Sequence, residues 1–227
     1  MTTTALMFAL PMARLRRSPR AYLPALPWAA LALGQAAVLR GGSHNRALTS
    51  MFSDLALPLG VMALVSVVLG GKSLFAACES AIAFGAPARR VAAAHVGLAV
   101  AVAALFSALL GAAVCVLGHG SKDPSLGADL LTTLGVSGLA GAAYGALFAF
   151  GSTFGAKGGG RTFVLLGDWL LGRGVALAFV FPRLHVERLL GAPTELEVTP
   201  QVSTGILLAM AVGFAVLAVL RASRQTK

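Results

Sequence analysis

The sequence predicts an all-α integral membrane protein that crosses the bilayer six times, with both termini on the cytoplasmic side. Three observations predict it. Of the 227 residues, 57% are hydrophobic and 11% charged, and mean hydropathy is +0.84, whereas soluble domains are about a quarter charged. Six runs approach or exceed the roughly 20 apolar residues that a helix needs to cross the hydrocarbon core: residues 22–39, 55–69, 91–118, 130–156, 162–181 and 203–220. The basic residues also alternate in density between these runs. With the N-terminus inside, twelve Lys and Arg fall in cytoplasmic segments and five in outer ones, with Arg173 left inside the fifth run. That asymmetry orients the chain. It also accounts for the net charge of +10 without nucleic acid, which would require the cations to be clustered on one soluble face.

Residues 1–21 form a basic approach to the first run, carrying Arg14, Arg16, Arg17 and Arg20 and suited to an anionic inner leaflet of membrane lipids. These arginines follow the short apolar stretch 5–12 instead of preceding it, the reverse of a signal peptide, so no cleavage is expected. Pro24 and Pro27 are acceptable near the start of the first helix. Gly41, Gly42 and Ser43 mark an outer loop over residues 40–53, and Asp54 is placed to cap the second run.

Residues 70–95 are the longest ordered-looking interruption between apolar runs. Residues 73–84 fit a short helix with Leu74, Cys78 and Ile82 on one side and Glu79 displaced from them. Gly85 ends that helix. Pro87 suits the first turn of the next, and Arg89 and Arg90 stand just before the third run. A plain loop that obeys the charge rule is the other reading of this stretch. The third and fourth runs have length to spare, which predicts tilt. Lys122, Asp123 and Pro124 mark an outer loop between them, and the glycine-rich residues 155–160 around Lys157 predict a mobile inner loop.

In the fourth run Ser137, Gly141, Gly145 and Ala149 recur every four residues, and Gly151 and Gly155 repeat the spacing one face over. Such stripes allow close helix packing in lipid, although a chain rich in Ala and Gly also generates them by composition. The fifth run holds Asp168 and Arg173. Each costs about 2.5–3.5 kcal/mol near a helix centre and so requires a partner, a wet cavity or an interface. Five residues apart, they are rotated by roughly 140° and do not fully satisfy each other. A structural contact between helices and a substrate route both remain open for them. After Pro182, residues 183–190 fit a short outer helix with Arg183 and Glu187 at i, i+4, stopped by Gly191. Residues 174–191 read equally as a re-entrant excursion or as the end of a full span followed by a surface helix.

Ser66-Val-Val-Leu-Gly-Gly-Lys-Ser73 imitates a phosphate loop, but Ser66 replaces the glycine that lets the backbone curl around phosphate. His44, His95, His119 and His185 are singletons without metal-ligand spacing. Cys78 and Cys115 fall toward opposite sides of the predicted membrane, so no disulfide is expected. No catalytic constellation appears, and the chain reads as not an enzyme by itself, with no cofactor or metal of its own.

The order of these features resembles the membrane (permease) subunit of a bacterial ATP-binding-cassette exporter, type 2 class. The resemblance spans essentially the whole chain. It rests on Leu15-Arg16-Arg17-Ser18-Pro19-Arg20 before the first span, on Glu79 followed by Gly85-Ala86-Pro87-Ala88-Arg89-Arg90 before the third, and on Phe181-Pro182-Arg183-Leu184 through Leu189-Leu190-Gly191 before the last. The usual acidic run near Glu79 is reduced here to that one carboxylate. The resemblance implies a half-transporter of the inner membrane that pairs with a second copy or a related permease and binds two cytosolic ATPase subunits. Residues 73–84 would be the coupling helix, with Leu74, Phe75, Cys78, Glu79, Ile82, Arg89 and Arg90 as the ATPase-coupling residues, and the partner would bind ATP and Mg²⁺. A non-transporting membrane anchor and a secondary transporter using Asp168 are the rival readings.

Overall fold

The computed structural model describes Met12 and residues 19–40, 44–120, 125–155, 157–173, 176–193 and 198–224. The arginines at 14, 16 and 17, the loop glycines 41 and 42, Ser43, the Lys122 turn and Lys227 lie outside the described residues. Among the described residues every regular element is helical, and four helices are long and apolar enough to cross a membrane.

A 3-10 turn, Pro19–Ala25, leads into α1, Leu26–Val38, with Pro27 in its first turn. Helix α2 runs from Asn45 to Val68. It begins ten residues before the expected second span, and residues 44–53, expected as outer loop, are helical instead. The extra length is wound wide. Leu48–Ala56 forms π-type turns around Ser50, whose φ of −104° and ψ of −105° are not helical. Gln35 of α1 occupies the distortion, donating to Ser50 Oγ at 2.9 Å and accepting from the Met51 amide at 3.1 Å. A side chain from a neighbouring helix thus satisfies a backbone donor that the widened turn leaves free. Leu48, Phe52 and Ala56 bury one face of this added segment.

Helix α3, Leu74–Ala83, is followed by α4, Ala88–Gly118, and α5, Leu126–Gly151. Two reciprocal small-residue faces join α4 to α5. A Cβ added to Gly141 would lie 2.5 Å from the Ala103 carbonyl oxygen, and one on Gly145 would lie 2.9 Å from Ala103 Cβ. Ser137, Gly141, Gly145 and Ala149 are all buried. They face Ala99, Ala103, Ser107 and Gly111 of α4, a second stripe of period four, so the backbones approach as closely as small side chains allow.

The fifth expected span, residues 162–181, is broken. Helix α6, Gly160–Leu171, has 12 residues, about 18 Å of rise, which is short of the roughly 30 Å core. Gly172 and Arg173 leave the helical path, Ala176–Val180 forms a 3-10 turn, and α7, Pro182–Leu189, resumes with Pro182 in its first turn. Phe181 is extended, with φ −112° and ψ 142°, as expected before proline. Of the two readings left open for residues 174–191, the packing is that of an enclosed segment: Pro182 through Glu187 are buried. Gly191, at φ 86°, stops α7 with paired bonds from its amide to Arg188 O and from the Ala192 amide to Glu187 O. This is a left-handed C-terminal cap. Helix α8, Pro200–Arg224, closes the bundle.

Candidate functional site

Two constellations stand along α2, one at its C-terminal end and one near its middle. At one end, Ser73 Oγ accepts the Ala76 amide at 3.2 Å and caps α3. Gly85, at φ 82°, closes it with bonds from its own amide to Ile82 O and from the Ala86 amide to Ala81 O. Leu74, Ala77, Cys78 and Ala81 are buried, Phe75 and Ile82 are half-buried, and Glu79 and Ser80 are exposed. Phe84, at 88%, is the most exposed large apolar side chain on the chain's described surface. Arg89 and Arg90 are exposed in the first turn of α4. The Leu74 amide donates to Ser152 O at 3.2 Å, which seats α3 against the end of α5. Burial pushes the Cys78 thiol up to about 12, so it stays protonated and unreactive at neutral pH.

Arg161 secures this end. It donates to Ser66 Oγ at 3.0 Å, Gly158 O at 3.0 Å, Lys157 O at 3.2 Å and Lys72 O at 3.4 Å. The glycine-rich loop, expected to be mobile, is therefore tied to the end of α2. Phe154 lies under the Arg221 guanidinium, 4.1 Å from its ring centroid, which places the end of α8 here too. Lys72, Arg89, Arg90, Lys157, Arg161, Arg221 and Arg224 thus converge at one end of the bundle, where Glu79 is the acidic residue among those described.

The second constellation lies twelve residues earlier on α2, about 18 Å away along the helix. Asp54 does not cap a helix, because α2 continues through it. Its carboxylate instead accepts from Arg173 at 2.6 Å and from Arg183 at 3.0 Å, and its carbonyl from Trp169 Nε1 at 3.1 Å. Glu187 accepts from Arg173 Nε at 2.8 Å and Arg183 Nε at 3.0 Å; the latter is the i, i+4 pair within α7. Asp168, fully buried, accepts from Tyr144 Oη at 2.8 Å and from the Arg183 amide at 3.3 Å. Asp168 and Arg173 therefore turn to different partners on α2, α5 and α7.

This network explains the broken fifth run. Continuing the helix through Arg173 would leave a guanidinium to find polar company in lipid, whereas leaving it at Gly172 brings Arg173 to two carboxylates. Three carboxylates and two guanidiniums, joined through Arg183, bind α2, α5, α6 and α7 into one polar knot. Its chemical competence is electrostatic and structural: hydrogen-bonded charges in a low-dielectric setting hold a fixed geometry. Among the described residues no group of three or more His, Cys, Asp and Glu could hold a metal ion.

Sequence reasoning singled out Asp168 and Arg173 but not Tyr144 or the bonds that Asp54 and Glu187 accept from Arg173. The i, i+4 spacing of Arg183 and Glu187 was the only local signal. The small-residue stripe and the α3 residues occupy a helix interface and the basic end respectively, separate from the knot. No protein-family profile, curated protein or solved structure matches the chain.

Proposed function

We propose that the chain is the permease subunit of an ATP-driven exporter of the ATP-binding-cassette type 2 class. It forms the translocation pathway in the bacterial inner membrane as a dimer and couples to separate cytosolic ATPase subunits, which bind ATP and Mg²⁺. On this reading the six crossings are the four long helices, the apolar stretch at Tyr22–Val38, and the interrupted pair α6 and α7. Both termini and the basic end are cytoplasmic.

The observation that carries the reading is α3. It is a short helix, capped at both ends, with its apolar face seated on the bundle and Glu79, Ser80 and Phe84 left uncovered beside Arg89 and Arg90. A helix held firmly from behind and open in front can receive a push from a soluble partner and pass it to α4, α5 and α8. Nucleotide-driven closure of the ATPase pair would bias the permease between two states in this way.

The test is isolation of the intact complex in mild detergent, with identification of the partner. An ATPase should copurify, and its turnover should rise in the presence of this subunit. Glu79→Lys should lower assembly or coupling several-fold while membrane insertion persists. Transport driven by a proton gradient in the absence of any ATPase would overturn the proposal in favour of a secondary transporter, and a copurifying enzyme with no transport would favour an anchor.

A further inference from the structure

The basic end of the bundle opens into a groove that shares only Arg89 with the exporter reading. Between α4 and α8 lies a groove of about 360 Å³, lined by Arg89, Val96, Gly97 and Val100 on one side and by Val216 and Leu220 on the other. From Arg89 to Val100 it follows α4 for eleven residues, about 17 Å of rise. That is close to half the roughly 30 Å hydrocarbon core, the depth of one leaflet. Both walls are the least enclosed of the long helices: 33% of the apolar window of α4 and 22% of that of α8 are buried. The groove therefore opens to lipid.

Its floor is apolar and its mouth is cationic. Arg89 is exposed at the mouth and belongs to the lining. Arg224 is exposed one turn beyond Leu220 and falls within about 40° of it on the helical repeat, on the same side of α8. A slot one leaflet deep with two arginines at the membrane-surface end matches an acyl chain with a phosphate above it. We infer that this groove binds an anionic phospholipid, one chain lying along Gly97 and Val100 and the phosphate held at Arg89 and Arg224.

A second copy of the chain fits the same face poorly. A two-fold axis along the membrane normal would bring Arg89 and Arg224 of each copy to the same level, like charge against like. An anionic headgroup removes that conflict. Gly97 keeps the slot open: a Cβ there would meet nothing within 4 Å, so a larger residue can fill the groove without disturbing the helices.

The experiment uses the full chain in detergent, stripped of lipid and titrated with phosphatidylglycerol, phosphatidylcholine or acyl-free glycerol phosphate, with bound lipid counted by native mass spectrometry. Phosphatidylglycerol should be retained over phosphatidylcholine, and glycerol phosphate should not bind. Each arginine near an anionic headgroup is worth about fivefold, so Arg89→Gln with Arg224→Gln should weaken retention about 30-fold. Gly97→Leu should lower retention with both arginines in place. Each variant is accepted only if it elutes as the parent does on size exclusion. Equal retention of the two lipids, retention unchanged in both variants, or efficient cross-linking between two chains through Ala93→Cys, at a further residue of the groove lining, would overturn the inference. The outcome does not depend on any ATPase.

Discussion

Arg183 is the residue on which the polar knot turns: its amide serves Asp168 and its guanidinium serves Asp54 and Glu187. The side chains of Arg183 and Glu187 are 10% and 6% exposed, that of Arg173 50%. Removing one member of a buried pair strands the other charge, so Glu187→Gln or Arg183→Gln should destabilise the protein by about 3 kcal/mol. Arg173→Gln, with more solvent at the site, should cost about 1 kcal/mol. Thermal unfolding in detergent checks the order, and a cycle combining Asp54→Asn with Arg183→Gln should show strong non-additivity. Cys78 is a second test at this scale. Its buried, protonated thiol should resist maleimide at pH 8, while Phe84→Cys on the open side of the same short segment should label rapidly. Equal labelling of the two would contradict the orientation of α3.

Among the elements, α4 and α5 have the closest contact. The Ala103 carbonyl and Ser107 hydroxyl lie 2.5 Å from where a Gly141 Cβ would stand. Gly141→Ala should therefore force the helices apart and cost about 1–3 kcal/mol, whereas Gly97→Ala, on the open face of α4, should not lower the melting temperature and should raise it slightly through helix propensity. The stripe on α5 was visible as a period of four, but α4 offered the same period with Ala and Ser in place of Gly, and only the pairing shows which of its faces is used. Helix α3 was legible almost to the residue, because Ser73 and Gly85 act on their own backbone neighbours. The wide turns of α2 were not, since they depend on Gln35 reaching across from α1.

At the scale of the whole molecule, charge is paired in one region and left in excess in another. The basic end gathers Lys72, Lys157, Arg161 and Arg221, whereas the carboxylates of Asp54 and Glu187 are matched by Arg173 and Arg183. Between them, large apolar side chains such as Leu105, Leu131, Phe163 and Val212 are more than half exposed, a surface suited to lipid and too apolar for water. With Cys78 and Cys115 replaced by alanine, Lys157→Cys and Arg40→Cys should react with an impermeant thiol reagent from opposite sides of the membrane, Lys157→Cys from the cytoplasm. Reaction of both from one side would overturn the six-crossing topology.

The sequence by itself determined the helical class, the membrane-suited surface, the basic asymmetry and the limits of α3. These follow from local or additive quantities: apolar run length, loop charge, and caps that bond within a few residues. Only the tertiary structure decided that α2 runs through Asp54, that the fifth run breaks after Leu171, and that α7 is buried. Arg173 reaches a carboxylate 119 residues away. No periodicity within one run records such a partner, and in a medium where an unpaired charge is costly, finding that partner outweighs the local preference to continue a helix.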